Sequence, residues 1–482
     1  MTSADHLQLA YKAPIQGPDI NNYISHLPTT STNDTSMVPA IAQAISLYIL
    51  TYNCGKALID VDAVASQLFS GLSKPKLPDL LVLSLQEIAP IPQCLIGGSF
   101  LVPYFNRFHE AVEKASRGAC ITTGGNEGLI YHLIAARNLG MTGIMIFARD
   151  PSAISDVETG GVGVGMAEMG NKGAIGVRFT YHGNGTSAEL TFVAAHLAAM
   201  ESDLTRRNED WRNIVRGLIF SSKSVDRKSI ESSRSAEERP LLSISPRDAS
   251  IFKPTSHLFL AGDLNYRTSI LSPSPTDHKD TFPQPYHDRS SPQHFSKLFE
   301  DDQLNQERLA GRTCHGLTEA PVTFPPTYKY DPKEAYLTPD EDLSRWHWAK
   351  HRWPSWCDRI LYLEVPSWVK RSHPEAQIIT HKYSALPLWP TSDHRAVALD
   401  VSVPILPIPP PKEDEEGDDP RIHPPFEINI DWKAKRKRAR ALELVVGFAM
   451  YFTTTLEGGG VSVAMVLGAV GAFFAIKAMV EM

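Results

Sequence analysis

Cysteine is scarce in this chain of 482 residues. Five occur, at 54, 94, 120, 314 and 357, without paired zinc spacing and with one left over for disulfides, so a reducing compartment and no structural disulfide are expected. The residues six beyond them are Asp60, Phe100, Asn126, Ala320 and Leu363. A phosphocysteine mechanism needs a thiolate and an arginine at that spacing around a phosphate, so it is excluded. A positive excess is missing as well. Lys+Arg total 47 against 54 Asp+Glu, a net charge of −7, which gives no general pull toward nucleic acid. The opening residues, Met1 to His6, lack a basic flank followed by an apolar stretch. No cleaved secretory signal is expected, and the globular part is read as cytosolic.

What the chain does have is a series of apolar runs that end in polar groups. Ser46 to Leu50 runs into Asn53, Leu80 to Leu85 into Glu87, Leu190 to Ala194 into His196, and His257 to Ala261 into Asp263. Short apolar runs rich in β-branched and aromatic residues predict buried strands. Their recurring polar ends predict one rim of an α/β fold where functional groups converge. Val61 to Leu72 and Tyr104 to Ala115 have helical spacing, and Gly173 to Thr180 with Glu189 to Ala195 reads as a hairpin around His182-Gly183-Asn184-Gly185. Residues 1 to about 44 read as a polar, loosely ordered arm. Ser221 to Thr255 and Ser269 to Gln293 read as surface insertions.

The chemistry-bearing patches are individually ambiguous. Glu87 reads as a Mg²⁺ carboxylate or a solvated strand end, and Asn53 as a group that orients it, touches the metal or merely turns the chain. Asp263 and Asn265, two apart after Gly262, can share a water, one accepting its proton and the other orienting it, or can simply form a turn. Asp393 offers a metal carboxylate. His394 offers an imidazole whose charged form stabilises a phosphate oxygen, with Asp358 a candidate to raise its basicity. Gly170-Asn171-Lys172-Gly173 is a donor-rich loop for an anion or a plain hairpin turn. Tyr328-Lys329, Lys350 and Arg352 cluster before Asp358, as solvated charge or as a grip on a second phosphate.

Taken together and in this order, the patches resemble the inositol polyphosphate 5-phosphatase family, part of the Mg²⁺-dependent phosphoesterases related to pancreatic deoxyribonuclease. Gly262 to Arg267, Phe324 to Tyr330, Pro354 to Leu361 and Ser392 to Val397 carry the resemblance, which spans roughly residues 45 to 403. It implies a four-layer α/β sandwich of two packed sheets flanked by helices. It further implies Glu87, Asn53 and Asp393 as the metal set, Asp263 as the residue that activates water, and Asn265 as the one that orients it. His394 is held by Asp358, and His196 contacts the phosphate to be removed. Asn171, Lys172, Tyr328, Lys329, Lys350 and Arg352 match positions that hold the other ring phosphates. Tyr52 departs from the family, which commonly has Trp there, and the Ser/Pro-rich stretch after Arg267 is long.

The C-terminal part reads differently. Pro404 to about residue 432 combines prolines with an acidic run, Glu413 to Asp419, and predicts an extended linker. Six Lys or Arg fall between Lys433 and Arg440, a flank that suits anionic lipid on the cytosolic side. Residues 441–482 are the expected membrane-anchor region. Gly458 to Ile476 is 19 uncharged residues, just long enough to cross a bilayer. Glu457 disfavours one continuous span centred on it. A single span from about 458 to 479 after an interfacial helix is preferred to a hairpin or a core helix. With the resemblance, this predicts a membrane-tethered phosphoinositide 5-phosphatase acting on phosphatidylinositol 4,5-bisphosphate, with the endoplasmic reticulum as the membrane. A nuclease or sphingomyelinase on the same scaffold, or a catalytically silent membrane adaptor, are the alternatives.

Overall fold

In the computed structural model, residues 43–122, 130–222, 246–331 and 343–480 are described. Most of the predicted N-terminal arm and of the Ser221 to Thr255 insertion lies outside them. The described strands form two sheets. One has six strands in the order β12 (Ile379–Ala385), β13 (Val397–Pro404), β1 (Ala44–Asn53), β2 (Leu80–Gln86), β4 (Thr142–Ala148), β3 (His132–Leu139). The other has seven, in the order β10 (Thr318–Glu319), β11 (Asp358–Tyr362), β9 (Ser256–Asp263), β7 (Thr186–His196), β6 (Gly173–Gly183), β5 (Ile154–Gly163), β8 (Ser221–Ser222). Pairing is antiparallel except between β1 and β2 and between β7 and β9.

The continuous apolar runs have a direct cause: these strands are covered on both faces. Along β1, Ile45, Leu47 and Ile49 point into the core between the sheets. Tyr48, Leu50 and Tyr52 point the other way, onto α1 (Val61–Gln67) and α3 (Val102–Thr122). In the second sheet Phe192, Ala194, Phe259 and Ala261 face the inter-sheet core, while Val193, Ala195, Leu258 and Leu260 pack toward α4 (Leu204–Gly217). Helix, sheet, sheet and helix therefore make four layers, the expected α/β sandwich. Tyr52 stacks edge-on against Trp389 with ring centroids 4.7 Å apart, so its departure from the family pattern alters the outer core rather than the strand end beside it.

Three predicted segments differ in detail. The first helix starts where expected, capped by the Asp60 carboxylate accepting from the Asp62 and Ala63 amides, but ends at Gln67. There the chain turns so that Gly71 lies against the Tyr48 hydroxyl, where a Cβ would sit 2.5 Å from the oxygen. The 269–293 stretch is not purely a surface loop, since Phe282 is buried among Tyr330, Trp346 and Trp348 and the Trp348 indole donates to the Pro283 carbonyl at 2.7 Å. The segment after β13, expected as an extended linker, is instead a strap laid on the domain. Ile405 and Ile408 enter the inter-sheet core. Arg421 is buried and donates to the Glu364 carbonyl at 2.6 Å, and the Asn429 amide donates to the Arg216 carbonyl.

Beyond α5 (Gln303–Leu309), two long helices close the described chain, α6 (Trp432–Thr454) and α7 (Leu456–Val480). Within α7, Leu456–Lys477 is 22 residues and holds an 18-residue window of mean hydropathy 2.1 with no buried residue, long and apolar enough to cross a bilayer.

One buried charge cluster stabilises the second sheet beside the strand ends. Arg359 on β11 is fully buried and paired with Asp302 at 2.9 Å and Glu319 at 2.6 Å. Removing one partner of such a pair leaves an uncompensated buried charge. Arg359→Met is expected to lower unfolding free energy by about 3–5 kcal/mol, measured by urea titration. A loss below about 1 kcal/mol would mean the pair behaves like an exposed one.

Candidate active site

Strand register brings the polar ends together. Asn53 and Gln86 are neighbours at the ends of β1 and β2, and Glu87 follows. In the other sheet His196 lies opposite Asp263, and Asp263 lies opposite Asp358 at the start of β11. The turn before β13 supplies Asp393 and His394. Asn53, Glu87, Lys172, His196, Asp263, Asn265, Tyr328, Lys329, Asp393 and His394 line one cavity of about 150 Å³ together with Lys56, Ala199 and Arg267. Three of these, Lys56, Glu87 and Asn265, have positive φ (64°, 49° and 58°) without being glycine. Backbone held in that region costs energy and persists where the surroundings impose it, as functional sites do.

Asp263 is the most heavily held group. Its carboxylate accepts from the Asn53 amide at 2.9 Å and from the Asn265 backbone N–H at 3.1 Å, and lies 3.4 Å from His196 Nε2. Asn53 is thus turned toward Asp263, with its own Oδ1 accepting from the Gly55 amide. Burial opposes charge on Asp263, but the His196 hydrogen bond and the nearby His394 outweigh it and hold the carboxyl well below the usual range. Asn265 donates to the Leu197 carbonyl at 3.1 Å and accepts from Arg267 at 2.5 Å.

His394 is gripped by Asp358. Nδ1 lies 2.9 Å from Asp358 Oδ2, which also accepts from the Thr327 hydroxyl at 2.7 Å. Burial pushes the Asp358 carboxyl up to about 6 against the pull of His394. Burial also opposes charge on His394, yet Asp358 raises the imidazole to about 9. At neutral pH the proton sits on the imidazole and Asp358 is ionised. Tyr328 packs beside this ring with centroids 4.6 Å apart, and the Arg267 guanidinium covers the Tyr328 ring at 4.4 Å.

The remaining predicted residues divide. Lys172 reaches His196 Nε2 directly; desolvation lowers the Lys172 ammonium, and burial followed by the Lys172 charge lowers the His196 imidazole. Asn171 lines an adjoining groove with Lys172 and Arg206. Lys350 is exposed and does not line the cavity. Arg352 is outside the lining too, paired with Glu201 at 3.1 Å. Lys56 and Arg267 were not singled out from the sequence. Arg267 closes the Gly262 to Arg267 motif and was legible there, whereas Lys56 sits in a short turn with no pattern around it.

The oxygen donors fit a hard divalent cation. Glu87 and Asp393 present carboxylates to the cavity, and each is turned to an ammonium, Lys56 at 2.9 Å and Lys329 at 2.8 Å. Burial opposes charge on both carboxyls, but His196 beside Glu87 and His394 beside Asp393 bring them below the ordinary range. Ionised carboxylate and amide oxygens are the ligands such a cation takes. Asp263, Asp358 and His394 also lie close enough to hold an ion, their ligand atoms within 4.8 Å of one another. Within this trio Asp358 is already hydrogen-bonded to His394 and to the Thr327 hydroxyl.

The chain belongs to the endonuclease/exonuclease/phosphatase family: the family 2 profile matches residues 50–400, and the chain's curated relatives place it with the inositol polyphosphate 5-phosphatases. It is 28% identical over 386 residues to inositol-1,4,5-trisphosphate 5-phosphatase 1 of Schizosaccharomyces pombe, covering 78% of this chain and 28% of that protein. It is 32% identical over 280 residues to phosphatidylinositol 3,4,5-trisphosphate 5-phosphatase 2 of Mus musculus, covering 56% of this chain and 18% of the relative. The chain thus spans well under half the length of these relatives. Among solved structures it resembles the inositol polyphosphate 5-phosphatase domain of Spsynaptojanin in complex with inositol (1,4)-bisphosphate and calcium ion, with a TM-score of 0.53 and 27% identity over 75% of this chain and 85% of that one.

The Asp358–His394 pair carries a pH signature. Folded His394 keeps its proton to about pH 9, whereas an unfolded histidine loses it near 6.5. Its stabilisation is therefore full below about pH 6.5 and lost as pH rises through about 9. With a chelator present, the wild type is expected to lose stability across that window, and Asp358→Asn to flatten the decline. Chemical denaturation at a series of pH values reads this. An equally steep decline in the variant would assign the pH dependence elsewhere.

Proposed function

We propose that this protein is a phosphoinositide 5-phosphatase that hydrolyses the 5-phosphate of phosphatidylinositol 4,5-bisphosphate to leave the 4-phosphate, in a Mg²⁺-dependent reaction at the cytosolic face of a membrane. The observation that carries the reading is the convergence of an ionised Asp263, a protonated His394 and several cations on one small cavity. Asp263 accepts a proton from the attacking water, and the Asn53 amide and Asn265 backbone N–H fix that carboxylate in place. His394, charged because Asp358 holds it, donates to oxygen on which negative charge builds. His196 forms the wall for the phosphate that leaves, and Lys172, Tyr328 and Lys329, with Arg267 beside them, the wall for the other ring phosphates. Glu87, Asn53 and Asp393 would hold the Mg²⁺, which when bound neutralises charge on the transferred phosphate.

The lipid form of the substrate is supported by α7, which would keep the site near headgroups, and by the exposed Lys433, Lys437 and Arg438 of the basic flank before it. The endoplasmic reticulum suits a modest span rich in Gly, Ala and Val.

Phosphate release from a panel of inositol lipids, soluble inositol phosphates and single-stranded DNA, with the full chain in vesicles and Mg²⁺, tests the reading. Release from the 4,5-bisphosphate lipid is expected, with no cleavage of DNA. Asp263→Asn is expected to lower the rate by about 10²–10⁴, and chelation to abolish it. DNA cleavage without inositol phosphatase activity would favour a nuclease, and an Asp263→Asn chain of full activity would remove Asp263 from the chemistry.

A further inference from the structure

The face of α6 turned to the domain is built around a buried acid. Ala439, Glu443 and Gly447, spaced four apart, are its buried residues. Small residues at two of the three let the helix approach closely; a Cβ on Gly447 would lie 3.0 Å from Leu95 Cβ and 3.1 Å from Ile96 Cγ1. Docking alone calls for an apolar residue between them, because a buried carboxylate is costly unless fully paired. Glu443 is paired. Arg436 meets it at 2.7 Å and Arg440 at 3.2 Å, and its Oε1 accepts the Gly170 backbone N–H at 2.9 Å.

That last contact reaches the candidate site. Gly170 opens the loop Gly170-Asn171-Lys172, and its peptide is pinned from the other side where the Gly170 carbonyl accepts from the Met141 amide at 2.9 Å. Gly140 makes this possible, since φ is 49° there and a Cβ would lie 2.0 Å from the Gly170 carbonyl oxygen. Two residues on, Lys172 touches His196. The same helix braces a second site segment. Arg440 donates to the Leu95 and Ile96 carbonyls at 2.6 and 2.7 Å, at the end of α2 (Ile91–Ile96), the helix that follows Glu87.

We propose that Glu443 is a positioning residue for the phosphatase site: by accepting the Gly170 N–H it sets the loop that places Lys172 against His196, so that the helix leading into the apolar C-terminal segment is part of the catalytic unit. The proposal rests on the phosphatase reading above. It assigns to α6 a task other than tethering.

Glu443→Met tests it in the full chain, because it fills a similar volume and keeps the docking face while offering no acceptor. Glu443→Gln is the conservative control, as its amide oxygen still accepts from Gly170. With soluble inositol 1,4,5-trisphosphate, Glu443→Met is expected to lower kcat about tenfold, the scale of a sub-ångström misplacement, and Glu443→Gln to recover most of it. In a Lys172→Ala background the Glu443→Met loss is expected to disappear, since residues acting through one another are not additive. Hydrogen exchange is expected to speed up at the 169–172 amides and stay unchanged in β1. Additive losses in the double variant, or unaltered exchange at Gly170, would overturn the proposal. A wild type that releases no phosphate from any inositol phosphate would instead sink the phosphatase reading, while Gly170 exchange still decides whether Glu443 holds the loop.

Discussion

The site depends on the register that seats β9 between β7 and β11. Parallel pairing with β7 sets Asp263 beside His196, and antiparallel pairing with β11 sets it beside Asp358. A slip of one residue in either pairing would turn Asp263 to the opposite face of the sheet, because side chains alternate. Register is strongly specified here, since both faces of these strands are buried: Phe259 and Ala261 inward, Leu258 and Leu260 outward. The hydrophobic cores thus fix the register, on which the hydrogen bonds and charges of the cavity build.

Those charges instead set protonation states. Two carboxyls of similar burial, Asp263 and Asp358, are driven apart by their partners. Asp263 faces His196, with His394 close by, and stays ionised; Asp358 has one imidazole and one hydroxyl and is raised by burial. Divergent environments for neighbouring acids are how one pocket can hold both a base and a charged donor at the same pH.

Much of this was legible in the sequence because buried strands announce themselves as apolar runs, and the runs before Asn53, Glu87, His196 and Asp263 ended where the strands end. The hairpin at Gly183 followed from its turn residues. Lys350 and Arg352 read as a phosphate grip because they are close to Asp358 along the chain. In space Arg352 is claimed by Glu201, a pairing between residues about 150 apart that no local pattern encodes. Lys56 escaped for the opposite reason, since a single lysine in a turn has no periodicity to mark it. The 404–431 segment misled because its composition is that of a linker; what holds it is a few well-placed groups, Ile405, Ile408 and Arg421, diluted among prolines and acids.

That strap alters what α7 could do as the proposed anchor. A floppy tether lets a catalytic head sweep a volume set by its contour length, and lengthening it changes the local concentration of targets in a calculable way. Here the chain between the last strand and α6 is fastened at Ile405, Arg421 and Asn429, so there is no slack to sweep with. Inserting residues into the strap would not extend reach; it would only loop outward between fixed points, and the mouth of the cavity would keep one bearing relative to α6.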